Sequence, residues 1–317
     1  MSAPAFRRAL VIRGGALGDF LLTLPVIASL REAEPEARIE VLAYPGIAAL
    51  AKAGGLVDDA RSIEYGPLAG FFTRGAVLEP TLREYFASFD LVVSYLYDPD
   101  GFFAENLRAS GVRRLVEGPS RLRNTTHAID QLATPLTTLG IPLADRAVRL
   151  ATVQSTGKNG DVLLHPGSGS ATKNWPAEHW RQLARQWLEL EPGLRLTIVG
   201  GEADTAALAT LRNMTENRRV RLLENLPLPD LAGELGRAQL YLGHDTGVSH
   251  LAALCGVPSL LLFGPTDPSI WAPPHGYVRI LRAPEGDLGA LGVDTVLRTA
   301  RRWHALASGP RDADTAP

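Results

Sequence analysis

The stretch YLGHDTGVSHLAALCGVPSLLLFGPTDP, residues 241–268, constrains the fold of this chain more than any other. The apolar runs 239–242 and 259–263 are typical of buried parallel strands, and the apolar segment 248–255 predicts a helix between them. Gly256 suits the end of that helix. A strand–helix–strand unit of this kind indicates an α/β protein, in which ligands bind at the carboxyl ends of the parallel strands.

The turn between the first of these strands and the helix contains Asp245, Thr246 and Gly247. The first N–H groups of a helix have no partner within it, so this position predicts a site for an anion such as a phosphate. The purely structural alternative is that Asp245 or Thr246 only caps the helix. The polar loop GPTDP, residues 264–268, ends the second strand and favours a site.

A second candidate segment is HPGSGSATKNWP, residues 165–176, which follows a buried strand and precedes a helix. Its glycines allow close backbone approach, the Ser168 hydroxyl is a hydrogen-bond donor, and Lys173 supplies a positive charge. These are the features of a phosphate-binding loop, although the spacing is not that of the P-loop. A plain surface loop is the alternative, but loops of this length between packed elements are usually functional.

A glycine turn, GGALGD at residues 14–19, lies between a predicted strand over 8–13 and a predicted helix over 20–32. The helix is expected to bend at Pro25. The spacing does not match the dinucleotide fingerprint, and a carboxylate at the helix start would repel a pyrophosphate, so we do not expect NAD to bind here. The sequence therefore leaves open whether Asp19 has a function of its own or only caps the helix that follows.

Two series of strand and helix signals are separated by the polar segment QSTGKNG, residues 154–160. We therefore predict an N-terminal domain over 1–153 and a C-terminal domain over 161–290, with a cleft between them. A last helix over 291–306 is expected to pack back towards the first domain. Residues 307–317 are expected to form a disordered tail.

Composition excludes several classes of protein. The net charge of −2 gives no electrostatic footprint for nucleic acid, and the single cysteine, Cys255, excludes an internal disulfide framework and a cysteine-based zinc site. No signal peptide or long apolar run is visible, so we expect a cytoplasmic protein, with peripheral contact at the inner membrane face left open.

Asp98 and Asp100 could hold a metal–nucleotide, but Asp-Pro-Asp is also an ordinary turn, which we favour.

Three segments together resemble one family: RGGALGDFLLTLPV (13–26), HPGSGSATKNWPAEHW (165–180) and GHDTGVSHLAALCGVPSLLLFGPTDP (243–268). The family is the heptosyltransferases of bacterial lipopolysaccharide assembly, glycosyltransferase family 9. The resemblance implies an α/β GT-B fold, with two Rossmann-like parallel-sheet domains that face a central cleft and bind acceptor and donor respectively. It also implies an inverting enzyme without metal or cofactor that moves heptose from ADP-heptose to a sugar of the lipopolysaccharide core.

By motif position, the resemblance implies that Asp19 is the catalytic base. The donor residues that it implies are Ser168, Gly169, Lys173, Glu202, Leu226, Asp245, Thr246, Gly247 and His250, with Asp204 as an alternative to Glu202 for the ribose. Arg121 and Arg123 are candidates for binding a lipid-linked or oligosaccharide acceptor, although a solvated basic face explains them as well. Two other functions stay open, namely a transferase or epimerase of another nucleotide sugar and a non-catalytic nucleotide-sugar binding protein.

Overall fold

The structure, a computed structural model, describes residues 6–151 and 160–308. The chain forms two compact units, Met1–Thr152 and Val153–Pro317, and each contains its own parallel β-sheet. The predicted α/β class with two parallel sheets is confirmed. Most of the predicted linker lies outside the described residues.

The described part of the first unit has five strands in the order β3-β2-β1-β4-β5. They are β1 (Arg8–Ile12), β2 (Arg38–Ala43), β3 (Asp59–Ser62), β4 (Leu91–Ser94) and β5 (Leu115–Glu117). The helices are α1 (Leu17–Leu21), α2 (Leu24–Ala33), α3 (Pro45–Ala53), α4 (Pro80–Ala87), α5 (Phe102–Ala109), α6 (Ala128–Leu132) and α7 (Thr134–Leu139). The strand order reverses between β1 and β4, and the carboxyl ends of these two strands therefore mark the switch point where open α/β sheets bind ligands.

Two helical segments of the first unit are divided at proline. The helix expected over 20–32 is instead α1 and α2, and Pro25 lies in the first turn of α2. The helical segment 128–139 is likewise divided into α6 and α7, with Pro135 in the first turn of α7. Proline has no N–H to donate, so it is tolerated where helical N–H groups are unpaired and starts a new helix here.

The described part of the second unit has six strands in the order β11-β10-β9-β6-β7-β8. They are β6 (Asp161–Leu164), β7 (Arg195–Gly200), β8 (Val220–Glu224), β9 (Leu240–His244), β10 (Ser259–Phe263) and β11 (Val278–Arg282). The helices are α8 (Ala177–Leu190), α9 (Thr205–Leu211), α10 (Leu228–Arg237), α11 (Gly247–Leu254), α12 (Pro268–Trp271) and α13 (Val293–Ser308). The switch point of this sheet lies between β6 and β9, which are the strands that precede the two predicted phosphate-binding segments.

The last helix packs within the second unit. Val296 and Ala300 are fully buried in the same hydrophobic cluster as Trp180 of α8, and Arg301 Nε lies 2.7 Å from Glu191 Oε1. The expectation that the helix also packs back towards the first domain stays a prediction. The helix extends to Ser308, and the rest of the predicted tail lies outside the described residues.

Candidate functional site

An ion pair connects the two predicted phosphate-binding segments at the switch point of the second sheet. Lys173, in the loop after β6, donates from Nζ to Oδ2 of Asp245, directly after β9, at 2.7 Å. The Asp245 side chain is 8% exposed and that of Lys173 is 32% exposed. A lysine in this position is held by the carboxylate but remains accessible to a ligand above the sheet edge.

The first turn of α11 lies next to this pair. Thr246 is the N-cap, and its side-chain oxygen accepts the N–H of Ser249 at 3.3 Å. The N–H groups of Gly247 and Val248, which begin the helix, have no acceptor within it and lie at the positive end of the helix dipole. Together with the Lys173 ammonium, they form an arrangement suited to a phosphate or diphosphate.

A buried histidine, His244, holds both ends of the Lys173 loop. Its Nε2 accepts the backbone N–H of Trp175 at 2.8 Å, and its Nδ1 lies 3.4 Å from the carbonyl oxygen of Gly167. Burial, followed by the nearby His165, lowers the pKa of His244 to about 3. The ring is therefore neutral at physiological pH, which allows Nε2 to accept a hydrogen bond and Nδ1–H to donate one.

A second buried histidine anchors the same loop at its beginning. His165 Nε2 lies 3.1 Å from Oδ2 of Asp204, which also accepts the N–H of Gly201 at 2.8 Å. Burial raises the pKa of Asp204 and the hydrogen bond with His165 lowers it, with a net lowering. A Cβ on Gly167 would lie 1.9 Å from Asp204 Oδ1, so only glycine fits beside this carboxylate.

The contacts of Asp204 bear on which residue would bind the ribose of the donor. Asp204 is only 6% exposed, and both of its described partners belong to the protein, so the alternative that it binds the ribose loses support. Glu202, two residues earlier at the end of β7, is exposed and stays a candidate.

The remaining donor candidates also lie at or near the carboxyl edge of the second sheet. Ser168 is 7% exposed, and its hydroxyl donates to the carbonyl of Ser170 at 2.8 Å, so this side chain also stabilises its own loop. Gly169 is exposed, Leu226 is half-buried after β8, and His250 is buried within α11. Candidates from four adjacent strands therefore lie in sequence along one edge.

In the first unit, Asp19 is the third residue of α1 and follows β1. Its Oδ2 accepts the N–H of Ala16 at 3.2 Å, its Oδ1 lies 3.5 Å from a terminal nitrogen of Arg13, and its side chain is 39% exposed. Gly15 has φ +101°, and a Cβ there would lie 2.9 Å from Asp19 Oδ2. Asp19 is therefore not the N-cap of a helix over 20–32, but it lies in the first turn of α1 and accepts the N–H of that helix's N-cap residue, Ala16.

The cation beside Asp19 was not identified from the sequence. Arg13 is 3% exposed, and its guanidinium carbon lies 5.5 Å from the centre of the Tyr95 ring. Burial lowers the pKa of Arg13, and Asp19 opposes this change. The available signal was an arginine at the end of an apolar strand, where a charge requires a partner.

Asp98, Arg121 and Arg123, which were candidates for metal or acceptor binding, make contacts with other residues of the first unit. Asp98 accepts the N–H groups of Phe103 and Ala104 at 3.1 and 2.9 Å, which agrees with a structural turn at the start of α5. Arg121 stacks on the ring of Tyr97 at 4.7 Å, and the backbone of Arg123 pairs with the side chain of Gln131. Across 6–151 and 160–308, no three His, Cys, Asp or Glu side chains are grouped to hold a metal ion.

No helix in the described ranges is both long enough and apolar enough to cross a membrane.

Comparison with known proteins finds a matching family model and several similar individual proteins. The model of glycosyltransferase family 9 (heptosyltransferase) matches residues 120–292. Lipopolysaccharide heptosyltransferase 1 of Pseudomonas aeruginosa is 40% identical over 107 residues, which is 34% of this chain and 29% of that protein. In this relative and in three other proteins named lipopolysaccharide heptosyltransferase 1, the part that matches this chain makes up 29–41% of the relative's length.

Solved structures show the fold. A family 9 glycosyltransferase from Veillonella parvula superimposes with a TM-score of 0.77 at 19% identity, covering 95% of this chain and 97% of that one. The heptosyltransferase WaaC of E. coli, solved with ADP-2-deoxy-2-fluoro heptose, gives a TM-score of 0.70 at 20% identity, covering 93% and 99% of the two chains. The predicted GT-B class is confirmed by these similarities.

Proposed function

Because the chain belongs to glycosyltransferase family 9, the heptosyltransferase family, we propose that it transfers heptose from ADP-heptose to a sugar of the lipopolysaccharide core. The observation that carries this proposal is the Lys173–Asp245 pair at 2.7 Å beside the first turn of α11. The pair holds the Lys173 ammonium next to the N–H groups that begin α11, at a switch point where the diphosphate of a nucleotide sugar can bind. The similarity of the second unit to proteins named heptosyltransferase supports the choice of donor.

The proposed reaction is a displacement with inversion at the anomeric carbon. The acceptor hydroxyl oxygen forms a bond to that carbon, the bond from the carbon to the diphosphate oxygen breaks, and ADP leaves with the electron pair. Asp19 accepts the proton of the attacking hydroxyl. Lys173 and the N–H groups of Gly247 and Val248 stabilise the charge that develops on the leaving diphosphate, which is the role of preorganised donors in transition-state stabilisation.

The proposed acceptor is lipid-linked, and we therefore propose that the protein acts at the cytoplasmic face of the inner membrane through peripheral contact. The first unit supplies Asp19, and Arg121 and Arg123 are proposed to assist acceptor binding. Both arginines are exposed, which suits an anionic acceptor.

The test combines donor binding with turnover. ADP-heptose at about 100 times its dissociation constant should stabilise the protein by about 2.7 kcal/mol, whereas UDP- and GDP-sugars at the same concentration should have little effect. Turnover is then measured with lipopolysaccharide core acceptors. Donor epimerised without acceptor would instead support an epimerase, and binding without turnover on any core acceptor would support a binding protein.

Metal independence is a separate prediction. Lys173 and the start of α11 provide the positive charge that a divalent cation supplies in other transferases, so activity should survive EDTA at full rate. The measurement is turnover before and after chelation. A loss that Mg²⁺ or Mn²⁺ restores would contradict the prediction and would return attention to Asp98 and Asp100.

A further inference from the structure

Three hydroxyl groups, those of Tyr241, Thr246 and Ser249, are grouped where β9 passes into α11. Tyr241 Oη lies 3.0 Å from Ser249 Oγ, and Thr246 Oγ1 lies 3.3 Å from the same serine oxygen. Tyr241 is fully buried and Ser249 is 1% exposed, so neither hydroxyl is satisfied by bulk water. The function proposed above uses the start of α11 but gives Tyr241 and Ser249 no role.

The directions of the buried hydrogen bonds follow from the number of protons. The Ser249 hydroxyl donates to the backbone carbonyl of His244, the last residue of β9. A serine hydroxyl has a single proton, so its oxygen accepts from Tyr241. Burial raises the pKa of Tyr241, which therefore keeps the proton that it donates. A hydroxyl chain thus runs from Tyr241 through Ser249 to the His244 carbonyl.

The position of the Tyr241 side chain depends on a glycine in the same strand. Side chains two residues apart in a strand lie on the same face of the sheet, and the Tyr241 ring extends over Gly243. A Cβ on Gly243 would lie 2.3 Å from Tyr241 Oη and 2.7 Å from the ring carbon that carries it. Any larger residue at position 243 would displace the tyrosine, so the local sequence places its hydroxyl near the carboxyl end of β9.

The hydroxyl chain fastens the first turn of α11 to the end of β9. Ser249 is the third residue of α11, and besides its bond to the His244 carbonyl it donates its N–H to Thr246 Oγ1 at 3.3 Å. Gly247 and Val248 lie between Thr246 and Ser249 in the chain. Their N–H groups, which the proposed function assigns to the diphosphate, are therefore held by contacts on both sides.

Order in this turn affects the binding of a ligand. Conformational freedom that is lost on binding opposes binding, whereas donors that are already in place bind without this cost. Glycine has more backbone freedom than any other residue, so a turn that begins with Gly247 depends on outside contacts for its order. A buried tyrosine, with only two rotatable side-chain bonds, is a rigid support for such a turn.

We propose that Tyr241 and Ser249 are positioning residues for the donor, and that their hydroxyl chain holds the N–H groups of Gly247 and Val248 in the arrangement that binds the diphosphate. Neither side chain touches the ligand itself. This inference rests on the proposed function, because it names the support of the same diphosphate site.

Two tyrosine variants of the full chain test the positioning role by calorimetry with ADP. Tyr241→Phe removes the hydroxyl at the first turn of α11 and should weaken ADP binding by about three- to tenfold. Tyr277→Phe is the matched control, because Tyr277 donates to the carbonyl of Ala253 at 2.7 Å in the last turn of the same helix. It should bind ADP within about twofold of wild type. A merely structural role predicts equal affinities, since each variant loses one hydrogen bond to α11.

A double variant tests whether the two hydroxyls act together. Ser249→Ala should weaken ADP binding by about tenfold or more, because it frees the His244 carbonyl and leaves Tyr241 without its acceptor. Tyr241→Phe/Ser249→Ala should bind ADP no more weakly than Ser249→Ala, since the tyrosine acts only through the serine. Affinities are compared at a temperature at which melting curves show every variant folded. Losses that add in the double variant would contradict a single chain.

Hydrogen exchange tests the same support without a ligand. The amides of Ser249 and His250 both donate to Thr246. They should exchange several-fold faster in Tyr241→Phe than in wild type and at the wild-type rate in Tyr277→Phe. Unchanged exchange in Tyr241→Phe would overturn the proposal.

The ADP titrations keep this proposal distinct from the proposed function. If wild type binds ADP and Tyr241→Phe binds it equally well, the positioning role is overturned and the proposed function stands. Failure of wild type to bind ADP would overturn the proposed donor site, and the donor role of Tyr241 and Ser249 with it.

Discussion

At the scale of single residues, Asp19 allows the sharpest test of the chemistry. Asp19→Asn should reduce turnover by roughly 10²–10⁴-fold, because an amide cannot accept the proton of the attacking hydroxyl. Asparagine can still accept the N–H of Ala16, but it removes the carboxylate that pairs with buried Arg13, so the melting temperature should fall, and turnover is compared at a temperature at which the variant is folded. The measurements are turnover with a competent acceptor, donor affinity and a melting curve.

Donor affinity is the internal control of that experiment. The proposed donor residues lie in the second unit, so the Asp19 variant should bind ADP with wild-type affinity. If the variant keeps more than about a tenth of the wild-type rate, the carboxylate has only a structural role beside Arg13, and the base is another residue.

Lys173 allows a matched test of the donor site. Lys173→Ala should weaken ADP binding by roughly 10–100-fold, because it removes a charged hydrogen bond and leaves Asp245 without its cation. Lys52 is the control, since it pairs with Asp59 at 3.2 Å in the first unit and its substitution by alanine should leave ADP binding unchanged. Calorimetry that finds equal affinities for the two variants would remove Lys173 from the donor site.

The sequence predicted some site residues and missed others for a physical reason. Asp19, Lys173 and Asp245 were identifiable because charged residues that follow apolar strands lie at the ligand edge of a parallel sheet. Arg13 and His244 lie at the ends of the strands themselves, and Tyr95 beside Arg13 and Trp175 beside His244 are distant from them in the chain. No local pattern records such a contact, so only the folded chain shows it.

At the scale of elements, the Lys173 loop is held by His244, and this has a consequence for stability in acid. The pKa of His244 is about 3 in the folded protein, against about 6.5 for an unperturbed histidine. As the pH falls below 6.5, the unfolded state takes up this proton before the folded state does. Stability is therefore present above pH 6.5 and is lost towards pH 3, by roughly 1.4 kcal/mol per pH unit.

His244→Gln removes this titration. Glutamine can still accept the N–H of Trp175, so the variant should lose less stability than wild type between pH 6 and pH 4, whatever its stability at pH 7. Denaturant unfolding at several pH values measures the difference. His127→Gln is the control, because His127 is a half-buried histidine of the first unit. This variant keeps His244 and should therefore lose as much stability between pH 6 and pH 4 as wild type. Parallel curves for wild type and His244→Gln would contradict a buried neutral imidazole.

Elements with strong periodicity were predicted well, and the misses have identifiable causes. The predicted strand over 259–263 matches β10 to the residue, and the helix predicted after residue 176 is α8, which begins at Ala177. The strand β11 was missed because its sequence, VRILR, has two arginines among three aliphatic residues without a regular alternation, and the strand is only half-buried at the sheet edge. The short 3-10 helix Gly66–Phe72 was also missed, since glycine and proline indicate a loop.

At the scale of the whole molecule, the two series of strands that the sequence predicts correspond to two sheets with separate hydrophobic cores. Phe71, Phe86 and Phe103 belong to the core of the first unit, whereas the second is built around Trp175, Trp180 and Trp187. The match to the family model, residues 120–292, lies mainly in the second unit, which explains why the sequence indicates the donor more clearly than the acceptor.

The same division predicts that donor binding is a property of the second unit alone. A fragment over 153–317 contains a complete six-stranded sheet, its own core and the Lys173–Asp245 pair. It should therefore unfold cooperatively and bind ADP within about threefold of the affinity of the full chain, a difference of about 0.7 kcal/mol. Calorimetry on the fragment and on its Lys173→Ala form measures this, and the substituted fragment should lose the affinity. A fragment that unfolds cooperatively but binds ADP more than about tenfold more weakly would show that residues of the first unit contribute to the donor site.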